Sequence, residues 1–391
     1  MKNRTNTCLL ISIVLLLAIS CNSKNQKMPL KEVNLEEFSN DIDGIEKLIE
    51  WYFNTYEIPS LSVGIIQEKQ VLAFISKGVE EGNLNNTVET NQNTLYQIAS
   101  LSKMFTGIIC NSLEKQGKID INESVIKYLP AINNKKIIKK LKPIKVVDLL
   151  LHTSGLPQRA NNLERYPNLW YVVNGYSKEK LYKDIEESEL MFEVGSKWSY
   201  SNLGYALLCH ILENVTNMKY EELLQQYVST EYNLPVTKTQ LVEKDKIHLA
   251  TPYVPEKKNV KTKPSDFGLH VAASGIYSST QDLTSLMIKQ LKIYESSDSI
   301  KLNHPLFLTN QKANIWKNVY YGYGLGEVKG TSKNNKPTQY NHSGDFDGYA
   351  SHYKFFPELQ LGIVILTSKG GPWFSDLQDN MEMKLLETFK R

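Results

Sequence analysis

The chain has 391 residues, 41% of them hydrophobic, which is enough for a large core in a globular protein of two or three lobes. Its 45 basic and 42 acidic residues are spread along its length for a formal net charge of +3, which removes any electrostatic case for nucleic acid or a strongly acidic partner. A local basic run at residues 133–142 (NNKKIIKKLK) reads as a solvated helix face.

At the N-terminus, Lys2 and Arg4 precede an apolar run from Cys8 to Ser20, the layout of a signal peptide and too short to cross a bilayer by itself. The stretch Leu17-Ala18-Ile19-Ser20-Cys21 resembles a bacterial lipoprotein processing box. It implies removal of residues 1–20, lipidation of Cys21, and a membrane-anchored lipoprotein on the periplasmic side of the cell envelope; ordinary secretion with cleavage near Ser20 is the alternative. Residues 21–34 then serve as a tether, polar at 22–26. Cys110 and Cys209, left in apolar helical patterns, are expected as free buried thiols or, in an oxidising compartment, as a disulfide; spacing does not choose between them.

Residues 35–54 carry helical periodicity through Phe38, Ile42, Ile45, Leu48, Ile49 and Tyr52. Residues 61–78 read as a hairpin, two β-rich runs joined by polar residues 67–70 and ended by Gly78. From about residue 94 to 257 the pattern is mainly helical, punctuated by Pro130, Pro157 and Pro167. Strands return after Pro264, most clearly in residues 348–368, broken at Pro357 and Glu358, and a helix over 375–389 closes the chain. The layout predicts an α+β fold: a sheet domain with flanking helices from residues 35–96 and 258–391, a helical domain inserted at 97–257, and a ligand groove where the two meet.

The chemistry begins in YQIASLSKMFTG, residues 96–107, where Lys103 is a cation among apolar neighbours. On a helix, the i, i+3 spacing puts Ser100 and Lys103 on one face within contact reach. A serine hydroxyl needs a base to become a nucleophile, and a desolvated lysine qualifies because burial disfavours its charged form. The same S-x-x-K spacing recurs at Ser112–Lys115, Ser124–Lys127, Ser177–Lys180 and Ser351–Lys354, so context must separate them. Ser112 and Ser177 lie among Glu and Lys, as on wet helix faces, whereas Ser100 opens an apolar helix.

Five segments in order and spacing, TLYQIASLSKMFTG, GKIDINESVIKYLP, VVDLLLHTSGLP, WSYSNLGYALL and NHSGDFDGYASHY, resemble the serine β-lactamase-related superfamily of class C β-lactamases, DD-peptidases, D-aminopeptidases and related esterases. The resemblance covers nearly the whole chain from about residue 42. It implies Ser100 as acylated nucleophile, Lys103 as its base, and Tyr200 as proton shuttle, either as a stabilised phenolate or by relay through the lysine. It implies that Asn202 contacts a substrate amide and that His342, Ser343 and Gly344 form the third motif. The backbone N–H groups of Ser100 and Asp345 would form the oxyanion hole. His152, in HTSGL, is assigned a structural place at a helix end, with Gly155 as C-cap and Pro157 as stop. VAASGIYSSTQDL is read as a structural loop, with Ser279 or Thr280 capping the next helix.

Two residues depart from the β-lactamase pattern. His342 stands where most β-lactamases have a lysine, and a histidine is mostly uncharged at neutral pH, so a substrate carboxylate loses its permanent partner. Asp345 would disfavour an anionic substrate group and favour a neutral or amine-bearing one. The sequence thus points to an acyl-enzyme serine hydrolase acting on amide or ester bonds of a small-molecule or peptide substrate, with cell-wall peptides or D-amino-acid derivatives as default class. A penicillin-binding-type sensor lipoprotein with little turnover is the alternative. No metal or organic cofactor is implied, since no His/Cys/Asp cluster has ligand spacing. Lys103 is expected to be buried and within hydrogen-bond reach of both Ser100 and Tyr200.

Overall fold

The structure, a computed structural model, describes residues 30–80, 88–158, 175–255, 257, 259–331, 336–346 and 348–389. The signal segment 1–20, Cys21 and residues 22–29 of the tether lie outside the described residues. Among the described residues, no helix is long and apolar enough to cross a membrane.

β1 (Ser60–Gln67) and β2 (Gln70–Gly78) form the first hairpin. Its two turn residues, Glu68 (φ 53°) and Lys69 (φ 60°), both take the left-handed backbone that a two-residue hairpin turn requires, here without the usual Asn-Gly. The C-terminal third supplies β5 (Ala313–Trp316), β6 (Val319–Tyr321), β7 (Gly326–Val328), β8 (Gln339–Phe346), β9 (Tyr349–Phe356) and β10 (Leu361–Thr367). They pair antiparallel in one eight-stranded sheet of order β2-β1-β10-β9-β8-β7-β6-β5. A separate two-stranded ribbon joins β3 (Tyr96–Gln97) to β4 (Tyr277–Ser278). Helices on both faces of an antiparallel sheet make this an α+β fold.

The period of two along β10 decides which core each residue enters: Ile363 and Ile365 join one apolar cluster and Val364 and Leu366 the other. The first cluster lies under two terminal helices, α1 (Ile42–Thr55) and a C-terminal helix, while the second and larger one holds the central helices. Fully burying each such side chain contributes roughly 1.5–3 kcal/mol. Both faces of β1, β9 and β10 are therefore buried, which is why these strands read as continuous apolar runs.

α1 begins later than the 35–54 periodicity suggests. Asp41 caps it by accepting from the Gly44 N–H at 2.8 Å, and residues 35–37 form a separate 3-10 turn capped by Asn34. Leu35 and Phe38 still pack against the same cluster as α1, so apolar spacing alone could not show the break. α2 (Ser102–Lys115) is buried along nearly its whole length, and its buried polar side chains find partners within the core, Thr106 on the Ala272 carbonyl and Ser112 on the Ile108 carbonyl. The basic run forms α3 (Lys135–Leu141), with Ile137 and Leu141 buried and its lysines mostly outward; Lys140 donates to the carbonyls of Ile185 and Glu186. The helices that shape the site are α4 (Val146–Leu150), α5 (Asn202–Thr216), α6 (Val271–Ser274) and α7 (Thr280–Tyr294), capped by Ser279. α8 (Trp373–Thr388) closes the chain. Cys110 and Cys209 are both buried and free.

α2 touches the Tyr323 backbone so closely that a Cβ at Gly107 would lie 1.9 Å from the Tyr323 carbonyl oxygen. Alanine in a helix interior is normally better than glycine by about 1 kcal/mol. Here the overlap outweighs that gain, since overpacking costs about 1–3 kcal/mol. Gly107→Ala is thus expected to lower the denaturation midpoint at unchanged slope in urea; a raised midpoint would contradict this packing.

Candidate active site

Ser100 sits in a 3-10 turn, Ala99–Leu101, that runs directly into α2. The residue before it, Ala99, has φ 47°, a left-handed backbone that costs a non-glycine residue of order 1 kcal/mol and that the surroundings must hold in place. Two anchors do so: Ser351 of β9 donates to the Ile98 carbonyl at 2.7 Å, and the Ser102 hydroxyl accepts from the Ile276 N–H at 3.1 Å. Gly344 of β8 lies against the same turn, where a Cβ would stand 2.7 Å from the Ser100 nitrogen and 2.5 Å from the Ile98 carbonyl oxygen. Only glycine lets the strand and the Ser100 backbone approach this closely.

Lys103 is fully buried. Its Nζ lies 3.4 Å from Ser100 Oγ and donates to the Ala273 carbonyl of α6 at 2.8 Å. Burial holds its pKa well below the ordinary lysine range. The Nζ also stands over the rings of Tyr200 (4.7 Å to the centroid) and Tyr205 (5.4 Å). A desolvated cation–π contact gives about 2 kcal/mol, whereas removing an ammonium from water costs several, so desolvation decides and the neutral amine is favoured. With one N–H fixed on Ala273, the lone pair of that amine can accept the Ser100 proton.

Tyr200 is placed by the segment before α5. Its phenol is pushed upward by burial, while a hydrogen bond with Ser100 pulls the other way. It is therefore a neutral phenol at neutral pH, suited to passing a proton and not to acting as a resting phenolate. In place of the expected Lys103–Tyr200 hydrogen bond, the amine meets the face of the Tyr200 ring, and its hydrogen bonds go to Ser100 and Ala273. Asn202, the first residue of α5, keeps its Oδ1 buried and without a partner among the described residues.

The third motif divides across the sheet. His342 is buried, with Nδ1–H donating to the Ser343 carbonyl at 2.8 Å and Nε2 accepting from the Tyr321 hydroxyl at 3.0 Å. Burial, with a smaller effect from Lys103, moves its pKa down to about 3, so it is neutral and fully engaged. Ser343 departs from its expected place at the substrate: strand alternation turns it to the opposite face from Gly344, where it bonds His352 Nδ1 at 2.7 Å and Gln378 of α8 at 3.3 Å. Asp345 follows Ser343 on that far face and is exposed; its carboxylate stands beside Gly370, where a Cβ would lie 2.8 Å from Oδ1. The reason expected for Asp345 to repel an anion thus falls away, while its backbone stays beside Gly344.

His152 ends α4 in place of Gly155. With φ 59° it is the left-handed residue after the helix; its N–H donates to the Leu149 carbonyl at 3.4 Å, and the next N–H, of Thr153, donates to Asp148 at 2.9 Å. Burial holds its pKa well below the usual histidine value. Nδ1 accepts from the Ser201 N–H at 3.1 Å, so Nε2 carries the proton; Nε2 has no partner among the described residues. Among the other S-x-x-K pairs, Ser112 is buried, not wet, and donates to the Ile108 carbonyl at 2.8 Å, while Ser351 and Lys354 diverge because their spacing falls on a strand. Sequence reading missed three contributors. Ala273 acts through its carbonyl, which no side-chain pattern reports; Tyr321 carries no motif; Tyr205, one helical turn after Asn202, could have been found from i, i+3 spacing.

The Ser-x-x-Lys turn thus stands where the eight-stranded sheet meets its helical layer. Residues 45–388 match the beta-lactamase family, and the chain belongs to that family. It is similar to the protein flp of Staphylococcus aureus strain N315, 24% identical over 343 residues and 88% of this chain, and to its counterpart in strain MRSA252, 25% identical over 348 residues. The chain spans 66% of the length of those relatives, just under two thirds. It is likewise similar to a beta-lactamase of Providencia stuartii, 24% identical over 381 residues, with 88% of this chain and 91% of that protein covered.

If Lys103 is the base, kcat/KM rises with pH as its ammonium loses a proton, with an apparent pKa far below 10.5. The raised Tyr200 phenol keeps its proton, so activity does not fall below about pH 10 on its account. A pH–rate profile on a non-ionising ester checks both limbs; an acid limb near the ordinary lysine value would contradict the neutral amine.

Proposed function

We propose that this chain is an acyl-enzyme hydrolase of amide or ester bonds. Ser100 attacks the carbonyl carbon as its proton passes to Lys103. Tyr200, hydrogen-bonded to Ser100, relays that proton to the leaving amine or alcohol and later helps water attack the acyl-serine. The backbone N–H groups of Ser100 and Asp345 hold the oxyanion, typically the largest single contribution in acyl transfer. Asn202 Oδ1 accepts from a substrate amide. The observation that carries this reading is the buried Lys103 amine, 3.4 Å from Ser100 Oγ and held on Ala273.

Cell-wall peptides or D-amino-acid derivatives are the default substrate class, with short esters close behind. The neutral, engaged His342 removes the cation that would favour a substrate carboxylate, which supports uncharged acyl donors over β-lactams as efficient substrates. The N-terminal signal layout supports a lipoprotein attached through Cys21 on the periplasmic side of the envelope.

Labelling with a fluorophosphonate, which stays on the serine, tests for the nucleophile, and release of the product from a fluorogenic short ester tests for turnover. Wild type is expected to label and turn over, and Ser100→Ala to do neither. Labelling without product release would favour a sensor, and no labelling would remove the enzyme. Because the Asp345 carboxylate stands on the far face, Asp345→Asn should leave the ratio of D-amino-acid amide to short-ester turnover unchanged. A change of about tenfold, or 1.4 kcal/mol, would return that carboxylate to the substrate.

A further inference from the structure

Resting on the acyl-enzyme reading above, we propose that His152 is the positioning residue for Tyr200. Three contacts converge on this one tyrosine. The His152 carbonyl accepts from the Ser199 N–H at 2.9 Å, and its Nδ1 accepts from the Ser201 N–H at 3.1 Å. Its ring packs on the Tyr200 ring at 4.4 Å between centroids, tilted by 40°. The residues before and after Tyr200 are thus held by the main chain and the side chain of the same histidine, and the ring between them rests on its imidazole.

The backbone of His152 argues that the side chain is there for a reason beyond ending α4. The position after such a helix end is most often glycine, which adopts positive φ without cost. Histidine at φ 59° is strained there, and strain of this kind persists where surrounding structure imposes it. A glycine would complete the helix end equally well and would lose both the Ser201 hydrogen bond and the Tyr200 contact. Tyr205 at 5.1 Å and Tyr321 at 4.8 Å pack on other parts of the imidazole and fix its plane. Burial keeps the ring neutral, so Nδ1 stays an acceptor.

Tyr200 has to meet Ser100 from a segment that is not itself helical: α5 starts only at Asn202. Nothing in the helix ladder fixes it, and misplacing a proton-transfer group by about 1 Å costs on the order of 100-fold in rate. His152 supplies the missing constraint.

The test is a kinetic cycle of His152→Gly, His152→Asn, Tyr200→Phe and His152→Gly/Tyr200→Phe on an ester substrate, with thermal melts of each. Glycine suits the backbone but leaves a cavity where the buried ring stood, so His152→Gly is expected to fold with a lowered melting temperature, while kcat measured well below that temperature falls about 100-fold with KM within about twofold. Asparagine also tolerates the left-handed backbone and carries an amide oxygen near the place of Nδ1, so His152→Asn is expected to recover part of kcat. In the Tyr200→Phe background, His152→Gly should cost little more, because the group it positions is already gone. Wild-type kcat in His152→Gly, no recovery in His152→Asn, or fully multiplicative losses in the double variant would each overturn the proposal. Should His152→Gly not fold, the cycle is run with His152→Asn, whose loss must likewise vanish in the Tyr200→Phe background. Failure of the underlying reading is separate: wild type would then not label with fluorophosphonate at all.

Discussion

A lysine buried without a carboxylate partner among the described residues is the constraint on which the rest of this structure turns. Lys103 has no exposed surface, and desolvation is the cause that sets its pKa. Burying an ammonium is unfavourable and favours the neutral amine, and the fold must then give its N–H bonds somewhere to go. α6 meets that need through the Ala273 carbonyl, and Thr106, one turn along α2, uses the next carbonyl back, Ala272, at 2.6 Å. The four-residue α6 is therefore tied to α2 by side chains whose partners are backbone atoms, and Ser100 is aimed by the same contact.

Around that amine the polar groups share one property: their environment drives them to neutral forms. His152 and His342 are pushed down, Tyr200, Tyr205 and Tyr321 are pushed up, and in each case burial is the leading cause. An oxyanion forming on Ser100 would enter a region of low polarizability in which fixed N–H dipoles act with little screening. The same arrangement has little to offer a substrate that brings its own charge.

The legibility of this chain followed the kind of information each feature uses. Strand alternation and helix periodicity are local, so the first hairpin, β9 and β10, and the closing helix could be read from spacing. The start of α1 was obscured because Leu35 and Phe38 continue the apolar stripe across a break made by Asp41. Ser100, Lys103 and Tyr200 are brought together in space, and their motifs were visible because they are side-chain identities at fixed intervals. What could not be read was backbone geometry and facing: the Ala273 carbonyl, the positive φ of Ala99 and His152, and the turn of Ser343 and Asp345 to the far side of β8. Glycine was expected to end α4 because conformational preference names glycine; the structure puts histidine there because contacts outweigh preference.

The turn that holds Ser100 is anchored by atoms made much later in the chain: Lys103 by Ala273, 170 residues on, and Ile98 by Ser351, 253 residues on. During synthesis Ser100 and Lys103 therefore emerge long before Lys103 is oriented or the strained turn is held. Loop closure over such separations is slow, so assembly of this region belongs late in folding. A chain released before β9 would carry the whole Ser-x-x-Lys motif and yet lack the tie that holds the turn in place. The geometry of the turn thus arrives with the last strands of the sheet, well after the residues that compose it.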